Sequence, residues 1–451
     1  MSEANDLADR LGRALGGTVT SLRALSGGAS RLTSALEVSY PGGVSRSLVL
    51  QQQREAGQSQ RSTVGLEAAL LRAALRAGVP VPKVLGAGEA DGLDTGWLVV
   101  ERLEGETLAR RLLRDAAYAG ARRKLGRDVA RALAQIHAIP LHDVPGLPSA
   151  DPFERPLEFL DGIGEVRPVL ELGSRWLAAN RPPAAGRTLV HGDFRMGNFL
   201  VDTTGLRGVL DWELAHAGDP AEDIGWLTAR AWRFGAPDEV GGFSRLDDFL
   251  AHYAASSGRL IEPPTVRWWQ AYASLKWAVI CALQASTHLN GIARSVELAA
   301  IGRRVCESEW DLLGLIGVER PDVPDGSAAT STAPAPFGRP SARELTEAVA
   351  EYLEDKVMAT AEGTARFEAR VARNVLATVA RELALGPDIA AAHRRRLVAL
   401  GVADDAELAA AIRAGDLDGH LTEVGAALGR SAVDQLRVAN PGYLATSSPG
   451  A

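Results

Sequence analysis

The sequence predicts an α+β protein: an N-terminal antiparallel-sheet lobe, a larger and mostly helical lobe, then a small all-α domain. Three observations predict it. The first hundred residues hold short β-prone runs separated by turn-forming Gly, Ser and Pro. From Glu106 to Leu315 the apolar residues mostly follow a helical period instead. Residues 320–340 then mix five prolines with Ser, Ala and Thr, which makes a semi-extended linker without a core.

Taken in order, residues 19–25, 32–40 and 44–51 read as strands, split by SGGAS and PGG turn chemistry. Residues 64–76 read as a helix with Leu66, Ala69, Leu70 and Ala73 along one face. Strands at 84–87 and 97–101 follow, joined across the Asp91-Gly92 turn. Within the helical lobe, 188–190, 199–202 and 208–211 read as short strands. After the linker, Ser341 and Glu344 have the spacing of a capping box and open a helix through Leu345, Val349 and Leu353. A second helix, from Thr364 to Leu383, aligns Phe367, Val371, Val375, Val379 and Leu383. Shorter helices are expected at 388–400, 405–414 and 431–439. The division is therefore a sheet lobe at 1–103, a helical lobe at 104–319, a linker at 320–340 and a helical domain at 341–445.

Composition narrows the function. A chain of 451 residues is too long for one ordinary core, so several domains are expected. The 49 basic against 56 acidic residues give a net charge of -7, which argues against a nucleic-acid or anionic-membrane partner. Two cysteines, Cys281 and Cys306, cannot form a disulfide framework or a structural zinc site and are expected as buried thiols. The start lacks the basic and apolar regions of a secretory signal. The apolar runs at 97–100 and 277–283 fall far short of the about 20 residues that span a bilayer, so a cytoplasmic location is expected. Only four cations are lysines, namely Lys83, Lys124, Lys276 and Lys356. No lysine before Lys83 can therefore serve a phosphate.

The chemistry lies in LVHGDFRMGNFLVD, residues 189–202, followed by GVLDWELAHAGDPAEDIGW, residues 208–226. A strand leads into His191-Gly192-Asp193, a loop reaches Asn198, and a hairpin returns the chain to Asp211. Phosphoryl transfer uses parts in this order: a carboxylate for the attacking hydroxyl, then an amide and a second carboxylate for Mg²⁺. Asp193 and Asn198 have the D-x-x-x-x-N spacing of a kinase catalytic loop. His191 reads as a residue that fixes the loop, and Asp219 and Asp223 as helix caps or loop anchors. His137, at a helix end, reads as a core residue or a partner of the helix dipole.

These motifs resemble the aminoglycoside phosphotransferase/choline kinase superfamily, over roughly residues 15 to 315. The resemblance implies a protein-kinase-like two-lobe fold and an ATP- and Mg²⁺-dependent phosphotransferase with an alcohol acceptor. It implies Asp193 as catalytic base and Asn198 and Asp211 as metal ligands. Ser26, Gly27, Gly28, Ala29 and Ser30 would form the turn over the nucleotide phosphates. Glu67 matches the family glutamate that pairs with the phosphate-binding base, and Glu101 and Leu103 fall where main chain would meet the adenine edge. Gln51 departs from the pattern, because it stands where a Lys or Arg is expected and carries no charge. Arg54 and Arg31 are the nearby cations, and spacing does not choose between them.

The loop and VLDWELAHAGDP wording are most similar to the branch fused to acyl-CoA dehydrogenases, which implies a hydroxyacyl-CoA as acceptor. An aminoglycoside or other antibiotic is the alternative acceptor. The arginines among the aromatics after Asp219, such as Arg230 beside Trp226 and Trp232, lean towards a neutral or anionic acceptor. The alternative function, which Gln51 favours, is a nucleotide-binding pseudokinase acting as a regulatory or scaffold subunit. Residues 341–445 resemble an uncharacterised helical domain appended to such phosphotransferases, and homodimerisation or docking to a metabolic partner is their expected role.

Overall fold

The computed structural model describes residues 3–25, 31–53, 64–88, 96–323 and 340–445. The chain forms two compact units, Met1–Glu154 with Pro183–Trp269, and Arg155–Pro182 with Gln270–Ala451.

The first unit opens with an unanticipated helix, α1 (Glu3–Leu15), before five strands: β1 (Thr18–Ala24), β2 (Arg31–Tyr40), β3 (Val44–Gln53), β4 (Val84–Gly88) and β5 (Trp97–Glu101). All neighbours in the order β1-β2-β3-β5-β4 are antiparallel, and α2 (Val64–Arg76) lies between β3 and β4 in sequence. The α1 helix forms because Leu7, Leu11 and Leu15 recur every four residues and find an apolar sheet face. That face carries Leu36, Val38, Leu48, Leu50, Trp97 and Val99, packed around fully buried Leu11. Side chains alternate along a strand, so the opposite face carries Arg31 and Thr33 of β2 with Val49 and Gln51 of β3. The predicted strands and helix of this lobe are all present.

Below the sheet, two small ribbons carry the motif residues. One pairs β6 (Thr188–Val190) with β9 (His216–Gly218), and the other pairs β7 (Phe199–Val201) with β8 (Leu206–Val209). The strand expected at 208–211 thus ends at Val209, and Asp211 stands beyond it. The segment after β5 is fastened to the second ribbon, because Glu106 and Val201 exchange backbone hydrogen bonds of 2.8 and 3.0 Å. Helix Ala119–His137 packs against helix Leu246–Ser257.

The second unit is helical. Ser341 opens helix Ala342–Tyr352 with the expected capping box. Helix Gly363–Ala399 then runs unbroken through Pro387, merging the segments expected at 364–383 and 388–400. Proline removes one backbone donor, but packing along helices Ala342–Tyr352 and Leu421–Ala439 outweighs that local loss. Arg381 adds hydrogen bonds of 2.7 and 3.2 Å to the carbonyls of Val438 and Ala439. Helix Asp405–Ala414 matches expectation, whereas the helix expected at 431–439 starts earlier, at Leu421.

These helices share their unit with helices Pro168–Ala179 and Val305–Leu315. Arg413 donates to Glu171 at 3.0 Å and Asp161 at 3.2 Å, and Tyr443 donates to Asp311 at 2.6 Å. Of the linker read from sequence, residues 324–339 lie outside the described residues. Cys281 and Cys306 are both buried and free, and burial pushes the Cys281 thiol up to about 12. Among the described residues, no helix is long and apolar enough to cross a membrane.

Candidate active site

Asp193 owes its position to the turn that leaves β6. Gly192 has φ +80°, and a Cβ there would meet the Leu214 carbonyl oxygen at 2.3 Å, so only glycine makes this turn without displacement. Asp223, fully buried in the first turn of helix Ala221–Thr228, then holds the loop backbone. Its carboxylate accepts from the amides of His191 at 2.8 Å and Gly192 at 2.9 Å, and lies 3.1 Å from His137 Nε2. Burial alone would raise the Asp223 carboxyl, but His137 and the loop amides outweigh it and hold it below the usual range. His137 Nδ1 in turn lies 2.8 Å from the Tyr253 hydroxyl.

His191 is internal to the same loop. Its Nε2 donates to the Leu210 carbonyl at 3.1 Å, and its Nδ1 accepts from the Asp193 amide at 3.3 Å. One donor and one acceptor fit a neutral ring, and burial lowers its pKa accordingly. The imidazole ties the Asp193 turn to the residue before Asp211, which is the loop-fixing part read from the sequence.

The Asp193 carboxylate is 7% exposed at the residue level and surrounded by donors. Oδ1 accepts from Arg195 Nε and Trp226 Nε1, both at 2.8 Å, and Oδ2 accepts from Asn198 Nδ2 at 2.6 Å. Arg195 also lies 4.3 Å above the Trp232 ring, which packs 5.4 Å from Trp226. Asn198 spends its amide nitrogen on Asp193, so its carbonyl oxygen is the atom suited to a cation. The Leu210 amide donates to the main-chain carbonyl of Asn198 at 2.9 Å, fixing the approach to Asp211 and leaving the side-chain Oδ1 out of that bond.

Asp211 takes φ +63°, a left-handed conformation costing about 1–3 kcal/mol that non-glycine residues adopt where the surroundings enforce it. Its carboxyl is pushed up to about 8 by burial first, then by Glu213, Asp193 and Glu67. Arg195 acts in the opposite direction. A buried group of carboxylates raising one another's pKa suits a hard cation with oxygen ligands, and Asn198 and Asp211 supply donors of the kind Mg²⁺ takes. A second group, Asp151, His216 and Glu222, brings three donor atoms within 4.8 Å, with His216 Nε2 3.0 Å from Glu222.

From the sheet side, Glu67 enters on the first turn of α2, 5% exposed and paired with the Arg31 guanidinium. Burial raises the Glu67 carboxyl, Arg31 lowers it and Glu213 raises it again. Gln51 Oε1 lies 3.4 Å from Arg31. Glu101, exposed at the end of β5, donates its amide to the Lys83 carbonyl at 2.9 Å, and Leu103 is half-buried two residues on. Ser26, Gly27, Gly28, Ala29 and Ser30, like Arg54, lie outside the described residues.

Asp193, Asn198, Asp211 and Glu67 are therefore brought within contact or electrostatic reach of one another, and Gln51 joins them through Arg31. Sequence reasoning missed Arg195, although its place two residues after Asp193 was a usable signal. It placed Trp226 only in an aromatic region, because a contact across 33 positions leaves no local trace.

Residues 21–269 match the phosphotransferase enzyme family, and residues 359–443 match DUF6285, a domain of unknown function. Acyl-CoA dehydrogenase family member 11 of Gallus gallus is 28% identical over 172 residues, 35% of this chain and 22% of that protein. The chain thus spans about a fifth of that relative's length. A Ralstonia eutropha structure assigned as an aminoglycoside phosphotransferase superposes with TM-score 0.56 at 20% identity, covering 70% of this chain and 98% of its own. A choline/ethanolamine kinase family protein from Mesorhizobium loti gives TM-score 0.44 at 19% identity, covering 66% and 92%. Strands β2 to β5, the ribbons and the Asp193 loop all fall inside the matched region, which exceeds half of the 451 residues, and the chain belongs to the phosphotransferase enzyme family.

Proposed function

We propose that this chain is an ATP- and Mg²⁺-dependent small-molecule kinase that phosphorylates an alcohol hydroxyl, with a hydroxyacyl thioester such as a hydroxyacyl-CoA as acceptor. The observation that carries the reading is the Asp193 carboxylate, oriented by Asn198, Arg195 and Trp226 beside the buried carboxyl of Asp211. Each carboxylate oxygen has two lone pairs, so Asp193 can accept the hydroxyl proton while keeping its orienting donors. General-base assistance of this kind supplies about 10²–10⁴-fold. Arg195 and Trp226 fix which lone pairs face the acceptor, and Trp226 and Trp232 give that wall apolar surface that excludes water. Asn198 Oδ1 and the Asp211 carboxylate would hold Mg²⁺. When bound, that ion offsets the charge of the nucleotide phosphates.

Two points support the acceptor class. The Gallus gallus relative is an acyl-CoA dehydrogenase family member, and indole and guanidinium around Asp193 suit an acyl chain and its polar thioester better than a polycation. The test is Mg²⁺-dependent ADP formation with hydroxyacyl-CoA thioesters, amino alcohols, sugars and aminoglycosides, alongside Asp193→Asn. Turnover with the thioesters that disappears in Asp193→Asn is the expected result. Turnover confined to aminoglycosides would replace the acceptor. ATP binding without turnover on any acceptor would favour a pseudokinase, the reading that Gln51 supports.

A further inference from the structure

A buried carboxylate is costly as an anion unless it is hydrogen-bonded or stands beside a cation. Glu67 has one, and it does not come from β3, where a phosphate-binding lysine would stand. Arg31 supplies it from the first position of β2, with only 8% of the residue exposed. The register explains how. Thr33 faces Gln51 and Arg31 faces Gln53, so all four lie on the same face of the sheet. Diagonal neighbours on such a face are about 7–8 Å apart, within reach of a long side chain. The Arg31 guanidinium accordingly meets both Glu67 and, at 3.4 Å, Gln51 Oε1.

Its surroundings define its task. Glu67 lies in the field of Glu213, and Asp211 in the fields of Glu213, Asp193 and Glu67. Arg31 therefore borders, from the sheet side, the acidic group that a metal–nucleotide complex would neutralise. A guanidinium has five donors in a planar fork, enough to serve a carboxylate and a phosphate together. A lysine at position 51 would set a second cation against it, whereas the neutral glutamine offers it an acceptor.

We propose that Arg31 is the nucleotide-phosphate-binding cation of this protein, displaced from β3 to β2, with Glu67 positioning it and Gln51 as the uncharged neighbour that accommodates it. The proposal rests on the kinase reading above. Gln51 is then the complement of Arg31 and not the mark of an inactive site.

The test measures binding of ATP·Mg²⁺, ADP and adenosine to the full chain by calorimetry, with KM and kcat for ATP in the presence of acceptor. Arg31→Gln is expected to weaken ATP and ADP by about 10- to 100-fold, the scale of a charge-assisted hydrogen bond. Adenosine affinity is expected to stay unchanged. Gln51→Lys added to Arg31→Gln returns most of the ATP affinity, because it restores a cation on the same face. The variant Arg31→Gln/Glu67→Gln separates phosphate binding from a purely structural ion pair. It removes both buried charges and remains deficient in ATP binding if Arg31 touches phosphate. Recovery of ATP affinity in that variant, or an unaltered ATP affinity in Arg31→Gln, overturns the proposal. A wild-type chain that binds no nucleotide overturns the kinase reading along with it.

Discussion

Asp193 and Asn198 stand five positions apart on one loop, whereas Arg31 and Glu67 meet across 36 positions from a strand and a helix. The loop is fixed locally: a left-handed glycine, a histidine bridging to Leu210, and Asp223 holding two successive amides. Moving any of its groups by one residue turns a side chain away from the site. The sheet face is more permissive, because two neighbouring strands present side chains to the same volume. Under the Arg31 proposal, the cation that β3 lacks at Gln51 comes from the neighbouring strand. The difference teaches that sequence spacing is a sound guide where geometry is local, and a poor one where a sheet offers several routes to the same point.

Four measurements test this contrast, from the largest expected effect downward. Asp193→Asn keeps the shape of the loop and removes its base, so kcat should fall by about 10²–10⁴-fold while ATP affinity stays near wild type. A kcat within tenfold of wild type in single-turnover kinetics would remove Asp193 from its assigned role. Gly192→Ala attacks the loop through its backbone. The left-handed conformation costs about 1–3 kcal/mol for alanine, and the contact with the Leu214 carbonyl adds to it. A lowered melting temperature together with lost turnover is expected; full activity would mean the loop is not locally fixed.

Trp226→Phe deletes one donor to Asp193 and retains most of the ring. It should lower kcat by about tenfold, on the scale of a hydrogen bond to a charged group, with KM for ATP little changed. A change in KM alone would place Trp226 on the nucleotide side instead.

The smallest effect is on pH dependence of stability. Burial lowers the His191 pKa from its usual 6.5, so below that value the unfolded chain binds a proton that the folded loop refuses. Its contribution is complete above pH 6.5 and is lost as pH falls. Asp223 has the same sign at lower pH, since its carboxyl is held below 3.8 and its contribution is lost as pH drops through the folded value. The raised carboxyls of Asp211 and Glu67 act with the opposite sign over this range. The effect is therefore read in Asp211→Asn/Glu67→Gln, where thermal unfolding should move to lower temperature on acidification from pH 7.5 to 5.5. An unchanged midpoint would contradict the buried neutral histidine.

Much of the fold and half of the site were legible in the sequence. Alternation and glycine-rich turns located all five strands of the sheet, and the Ser341–Glu344 spacing located a capping box. Helix α1 went unread because its leucine stripe becomes informative only when a sheet face exists to receive it. The helix through Pro387 went unread because a proline is a local signal and the packing that overrides it is not. In the site, the positions of Asp193, Asn198 and Asp211 followed from spacing, but the left-handed backbone of Asp211 did not.

The sequence by itself determined the order of the five sheet strands, the residues of the Asp193 loop and the absence of a lysine before Lys83. Each depends on neighbours a few positions away, through backbone conformation, periodicity and composition. Tertiary structure alone decided that Arg31 and not Gln51 pairs with Glu67, that Trp226 and Arg195 share Asp193, and that Asp223 anchors the loop. Those pairings depend on strand register and on which groups share a buried volume, where an unpaired charge or donor is costly enough to select its partner.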